Sequence, residues 1–504
     1  MLLKKLINGY NMTTIFLFSQ NLKLESFVDL KRYCKTDSKI ILLTTHCLFE
    51  NEIEYLKNLI GDFEIQRFSQ YLNDTEQEAI DISADNRSVK NVFDYYNQVR
   101  LIKNIKIADK VLQKYPNANK YLLCNDLGID VKPWKRIGFV EVRCQYYYDW
   151  DKAEGIKEKL KRLFNRIPVA STLYKKIKNT KARPYQDDVY SATRNGKKYV
   201  FIGRLQRVGY RIDLPFEKDS VEKGMLDKRM FHDKASCQYL SSIHERTKCI
   251  VPDSPKYDVR YIQDGYLPAN YSACDLKYIP KNVSYYAWDE IGTLEFKKHN
   301  IPVSIMPFRK KLYMPEPEFK EEIKTILVAT SGTGDWTAQK NRSDDDLMVI
   351  AFAEVARRCP DVKIIYRAHP TWVYPVHVGV NSVNRVAEYF NYTKLDNIHL
   401  SSNIPDLKVL SFPRSSLEED LKQADMVFGE HSVAMIDAAF KRIPFASVNL
   451  TDRRDLCCSL SDMGFPHCKS VEDIVSLIRK YSDNGFQKEY NDAVKEYNKM
   501  TDRE

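Results

Sequence analysis

The sequence predicts an α/β protein made of two Rossmann-like halves facing a central cleft. Three observations carry that expectation. Short apolar strands alternate with helical stretches in both halves, the pattern of parallel sheets with crossover helices. A stretch carrying prolines and a basic run, 302–319, interrupts the alternation and reads as the connection between the halves. In the second half two strands run into loops crowded with Arg, His, Glu and Ser: VKIIYRAHP at 362–370 and MVFGEHSVAMIDAA at 426–439. Ligands of open parallel sheets collect just beyond the carboxyl ends of the strands, so two such loops in one domain point to a shared pocket.

Length and composition bound the rest. A chain of 504 residues has room for more than one domain, and 43% hydrophobic with 12% aromatic residues supplies ample core. The formal charge of +10 is modest for this size, and no nucleic-acid module is visible, so nucleic acid is not an expected partner. Eleven cysteines are scattered without a C-x-x-C pair, as in a reduced, cytoplasmic protein without a structural zinc site. The first residues, MLLKKLINGYNMTTIFLFSQ, lack a long apolar region and a small-residue cleavage site, and Met12 is an alternative start. No apolar run approaches the length of a membrane span.

In chain order, TTIFLFS (13–19), KIILLTT (39–45) and DFEIQR (62–67) read as strands, followed by a long helix over about 88–115. YLLCND (121–126) and the aromatic-rich 139–150 continue the set. Residues 156–184 stand apart, with ten Lys or Arg. Ile156, Leu160, Leu163, Phe164 and Ile167 form one apolar helical face. Such a helix either lies on an anionic membrane surface or packs on its own domain with its charges in water. KKYVFIG (197–203) and DVRYIQDG (258–265) add strands, the latter ending in Gln263-Asp264-Gly265 at a tight turn. YYAWDE (285–290) precedes the connection. On this reading 1–310 is the N-terminal domain, 323–480 the C-terminal domain and 481–504 a helical tail.

The second half opens with the strand KTILVAT (324–330) and the loop SGTGDWTAQKN, where Gly332 and Gly334 let backbone approach a ligand and Asp335 adds a carboxylate. Ser343 then starts a helix with Asp344, Asp345 and Asp346. A serine with an acid three residues on reads as a capping box rather than a metal site. A helix near 383–393, a short strand near 408–411, a helix over 415–424 and a helix over 433–440 follow, with PFASVNL (444–450) as the last strand. Arg367 and His369 offer donors to an anion, or alternatively Arg367 pairs with a carboxylate and His369 caps its loop. Ser432 falls at a helix N-terminus, where exposed N–H groups suit anions.

Asp264-Gly265, His369-Pro370 and the loop Glu430-His431-Ser432 resemble, in order, the acidic-Gly, HP and serine motifs of bacterial glycosyltransferases that use CMP-activated sugars. GDWTAQKNRSDDDLM followed by YRAHPTW most resembles the retaining β-Kdo transferases of capsule and lipopolysaccharide assembly. The likeness covers roughly 255–450 and implies the GT-B fold, with nucleotide on the C-terminal half. It implies that Arg367, His369, Pro370, Glu430, His431 and Ser432 hold the nucleotide, His369 and Ser432 at the phosphate and Glu430 at a ribose hydroxyl. It implies Asp335 and Asp264 as the catalytic carboxylates, with no metal and no cofactor. The expected partners are a CMP-sugar donor, Kdo or a sialic-acid-like sugar, and a glycan or lipid-linked glycan acceptor. The expected place is the cytoplasm, peripheral on the inner face of the membrane. One departure stands: Gln263 occupies the place of a first acid before Asp264-Gly265. Two other readings fit the same loops: a polyol-phosphate transferase using CDP-glycerol, and a non-catalytic nucleotide- or carbohydrate-binding subunit.

Overall fold

The computed structural model describes residues 12–18, 30–34, 38–85, 92–123, 129–142, 188–203, 212–215, 217–218, 236–240, 259–262, 283–298, 302–306, 308–310, 313–330, 343–368, 382–401, 417–430, 432–450 and 459–501. Within them the strands form three sheets. The first holds β1 (Thr13–Phe18), β2 (Lys39–Thr44), β3 (Phe63–Arg67), β4 (Asn119–Leu123) and β5 (Val140–Glu141), in the order β3-β2-β1-β4-β5. All its pairings are parallel. Between these strands run α1 (Glu50–Ile60), α2 (Asp74–Asp85), α3 (Val92–Lys114) and α4 (Val131–Arg136). Residues Ile15 to Phe18 and Ile40 to Leu43 are buried, because a central parallel strand is covered on both faces.

The second sheet is mixed: β6 (Asp188–Arg194), β7 (Lys197–Gly203), β8 (Glu217–Lys218), β9 (Ser236–Leu240), β10 (Val259–Ile262), β11 (Val283–Ala287) and β12 (Val303–Ile305), ordered β12-β11-β10-β9-β7-β6-β8. β6 and β7 form an antiparallel hairpin whose turn, Asn195-Gly196, has positive φ at both residues, as a two-residue hairpin turn demands. The described residues between 1 and 310 therefore form two sheets, where alternation alone reads as one continuous unit. Within YYAWDE a strand gives way to a helix. The strand ends at Ala287, and Asp289 turns the chain into α5 (Glu290–Lys298) by accepting the Gly292 N–H at 2.9 Å.

The third sheet contains β13 (Thr325–Ala329), β14 (Lys363–Arg367), β15 (Ile398–Leu400), β16 (Met426–Gly429), β17 (Phe445–Val448) and β18 (His467–Cys468), in the order β15-β14-β13-β16-β17-β18, parallel throughout. Its helices are α6 (Ser343–Arg358), α7 (Ser382–Thr393), α8 (Leu417–Leu421), α9 (Val433–Phe440), α10 (Val471–Lys480) and α11 (Asn484–Thr501). One sequence expectation changes here. The strand at 445–448 is followed by β18, whose two residues carry too little pattern to read as a strand. β15 lies at 398–400, while the strand expected near 408–411 falls outside the described residues, as does the basic segment 156–184.

The connection between the second and third sheets is pinned rather than loose. Phe319 packs edge-on against Tyr481, Phe486 and Tyr490, and the Lys320 ammonium pairs with Asp425. The other Asp425 oxygen accepts the Lys324 and Thr325 N–H groups at 2.7 and 2.8 Å. The last helix, α11, returns to the connection, where Asn498 bonds both the N–H and the carbonyl of Met314. One hydrophobic cluster joins Trp288, Ile291 and Met306 of the second sheet's region to Val427, Met435 and Tyr490 of the third's.

Candidate functional site

The third sheet runs outward from its first strand in both directions: β13, β14, β15 to one side and β16, β17, β18 to the other. This is the doubly wound order, and the chain reverses direction between β13 and β16. The crevice at that reversal, outside the carboxyl ends, is where ligands of such sheets bind. The strand ends are level. Ala329 is in register with Arg367 on one side and Gly429 on the other. Asp335 follows Ala329 by six residues, His369 follows Arg367 by two, and Glu430 and Ser432 follow Gly429 by one and three. The topology thus gathers the starts of all three loops at one edge.

Gly429 is required by this convergence. A Cβ there would sit 3.0 Å from the Ala329 carbonyl and 3.2 Å from Cγ of Met435. The absent side chain lets β16 lie against β13 while α9 folds back over its end. Ser432 is the N-cap of α9, in extended backbone, and its Oγ accepts the Ala434 N–H at 3.3 Å. Its expected place at a helix N-terminus is thus met. Glu430 is buried at the end of β16.

Arg367 has a defined task inside the protein. Its Nη1 donates to Oδ2 of Asp420 at 2.5 Å and to Oγ of Ser401 at 3.3 Å. Ser401 in turn donates to the same Asp420 oxygen at 2.8 Å. The Arg367 carbonyl also accepts from the N–H of Thr330, tying the end of β14 to that of β13. This is the carboxylate pairing weighed against a ligand role in the sequence, and it anchors the β14 loop to α8 and the end of β15.

Asp346 corrects an expectation. Instead of closing a capping box on Ser343, its carboxylate accepts Nη1 of Arg385 at 2.8 Å and the Cys47 N–H at 3.2 Å, and it is fully buried. An acid three residues into a helix serves a cap or a tertiary partner equally well, and here a buried guanidinium wins it. No group of three potential metal ligands occurs among the described residues. Asp264, Asp335, His369, Pro370 and His431 lie outside the described residues. In sequence, Asp264 comes two residues after β10 of the second sheet. Sequence reasoning missed Asp420, Ser401 and Arg385. A lone polar residue within a helix or at a strand end carries no local signal of a partner far along the chain.

Fold and strand order therefore define an α/β protein with a doubly wound third sheet whose switch point carries polar loops. No protein-family model matches the chain, and no curated protein matches it. Solved structures similar to it include a UDP-GlcNAc 2-epimerase from Neisseria meningitidis bound to UDP-GlcNAc, at 10% identity over 96% of this chain and 94% of that one, with a TM-score of 0.27. MurG of Acinetobacter baumannii is 13% identical over 54% of this chain and 82% of its own, at 0.27. The wall teichoic acid polymerase TagF with CDPG is 11% identical over 98% and 85%, at 0.24. At these scores the likenesses carry no residue role or activity over to this chain.

Proposed function

We propose that the protein is a GT-B-type glycosyltransferase that moves a sugar from a CMP-activated donor, Kdo or a sialic-acid-like sugar, to a glycan or lipid-linked acceptor. The observation that carries the reading is the level meeting of Ala329, Arg367 and Gly429 at the switch point of the third sheet. The loops leaving those three residues hold the motifs that resemble the CMP-sugar enzymes. His369 and Ser432 contact the phosphate there, Pro370 and His431 shape the two loops, and Glu430 accepts a ribose hydroxyl. Donors aimed at the leaving phosphate stabilise the charge that grows on it as the sugar departs. Arg367, held by Asp420, acts by presenting the His369 loop.

Asp335 attacks the anomeric carbon as the C–O bond to CMP breaks, giving a glycosyl-enzyme ester. The acceptor hydroxyl then displaces Asp335, with Asp264 taking its proton, so the configuration is retained. The basic segment 156–184 rests on anionic lipid and keeps the enzyme at the cytoplasmic face of the membrane. Intact-protein mass spectra after incubation with donor alone test the covalent step. The expected result is a sugar-sized adduct mapping to Asp335 and absent from Asp335→Ala. An active Asp335→Ala enzyme, or product of inverted configuration, overturns it.

A further inference from the structure

The first and third sheets meet at a buried charged corner that the proposed chemistry does not use. The chain leaves β2 through Cys47 and Phe49 into α1, and this corner is inserted against α6 and α7. Arg385 of α7 is its centre. Nε and Nη2 donate to the two oxygens of Glu52 at 2.5 and 2.7 Å, Nη1 to Asp346 at 2.8 Å, and Nη2 also to the Cys47 carbonyl at 2.5 Å. The guanidinium lies 3.9 Å over the Phe49 ring, which stacks on Tyr389 and belongs to the third sheet's core. Side-chain exposures are 2% for Arg385, 7% for Glu52 and 1% for Asp346.

The charge count is uneven. One guanidinium faces two buried carboxylates, so with every group ionised the corner holds a net negative charge away from water, an arrangement that burial strongly disfavours. The other charged groups described on the packed elements include Glu50, which shares Arg357 with Glu354, and Glu54, which is bonded by the Tyr392 hydroxyl. The buried His46 immediately precedes Cys47, and Glu388 follows Arg385 by three residues on α7. None of the ion pairs formed by the described residues brings a second cation to Asp346 or Glu52.

We propose that Arg385, Glu52 and Asp346 form a latch that docks the first sheet onto the third and binds a proton as it closes, so that the docked form tightens in mild acid. The proposal is independent of the donor reading. Burial first, and Glu52 second, push the Asp346 carboxyl up from 3.8 to about 6 against the pull of Arg385. A pKa raised on docking means that the contribution is complete below 3.8 and is lost as pH rises through about 6. The latch also fixes the start of α6, which follows the Asp335 loop, to the carboxyl end of β2. Loosening it thus frees both the first sheet and one end of the candidate site.

Hydrogen exchange of the full chain, corrected for intrinsic rates, reads the docking directly. Between about pH 5 and pH 7.5, protection of the segments around Cys47–Glu52 and Asp346–Phe352 should fall together by roughly tenfold. Glu52→Gln removes one carboxylate charge and should shrink that fall and move it to lower pH. Arg385→Met should loosen both segments while β13 and β16 stay protected. Should that variant not fold, Arg385→Lys, which keeps the charge and loses the fork, should show the same paired loosening. Equal wild-type protection at both pH values, an unchanged pH dependence in Glu52→Gln, or loosening confined to α7 overturns the proposal.

Discussion

Arg367 illustrates how a residue at a candidate site can act through its neighbours. Its guanidinium is nine-tenths buried and shares one Asp420 oxygen with Ser401. Removing the cation leaves a carboxylate without its charge partner in a place that water barely reaches. Arg367→Met should therefore cost about 3–5 kcal/mol of stability, the usual penalty for breaking a buried pair. Asp420→Asn, which keeps the shape and an acceptor, should cost less. Chemical denaturation followed by fluorescence separates the two. A loss below about 1 kcal/mol for Arg367→Met would place the pair among exposed, weakly contributing ones. Ser432 shows the same economy, since its Oγ already caps α9.

At the scale of elements, the end of β16 is the tightest point of the third sheet. Gly429→Ala puts a methyl 3.0 Å from the Ala329 carbonyl, which is backbone and cannot swing away. The variant should lose about 1–3 kcal/mol through overpacking and should shift the β16–α9 loop. Thermal unfolding of Gly429→Ala beside Gly485→Ala, where the near atoms belong to the side chain of an exposed Asp483, is the measurement. Equal effects would contradict the close-approach argument. Elements of this kind were also the most legible in the sequence. Apolar runs such as TTIFLF, KIILLT, TILVA and KIIYR, and the helix 433–440, stand where their patterns put them. β18 and β15, of two and three residues, are too short to show a period and are strands because a neighbour supplies the partner edge.

For the whole molecule, local alternation showed that parallel sheets exist but not how many. The described residues of 1–310 divide into a parallel sheet and a mixed sheet because pairing is decided between strands far apart in sequence, as with β7 beside β9. The candidate site was legible only in part, for a similar reason. The loops after β13, β14 and β16 announce themselves by composition, whereas Asp420, Ser401 and Arg385 matter through tertiary partners. The same distinction explains Asp346, whose position in the helix suggests a cap and whose burial gives it to Arg385. Strand order, not motif spacing, brings Ala329, Arg367 and Gly429 level.

The proposed function requires the polar loops at this switch point to bind a cytidine monophosphate group. Calorimetric titration of the full chain with CMP, CDP, UDP and GDP, repeated on His369→Ala and Ser432→Ala, tests it most directly. CMP should bind in preference to the three diphosphates. Each variant should weaken it by about 1.5–3 kcal/mol, the scale of a hydrogen bond to a charged group, after allowance for roughly 1 kcal/mol of helix-cap stability in the serine variant. CDP binding in preference to CMP would favour a polyol-phosphate transferase instead, and unchanged CMP affinity in both variants would contradict the site itself.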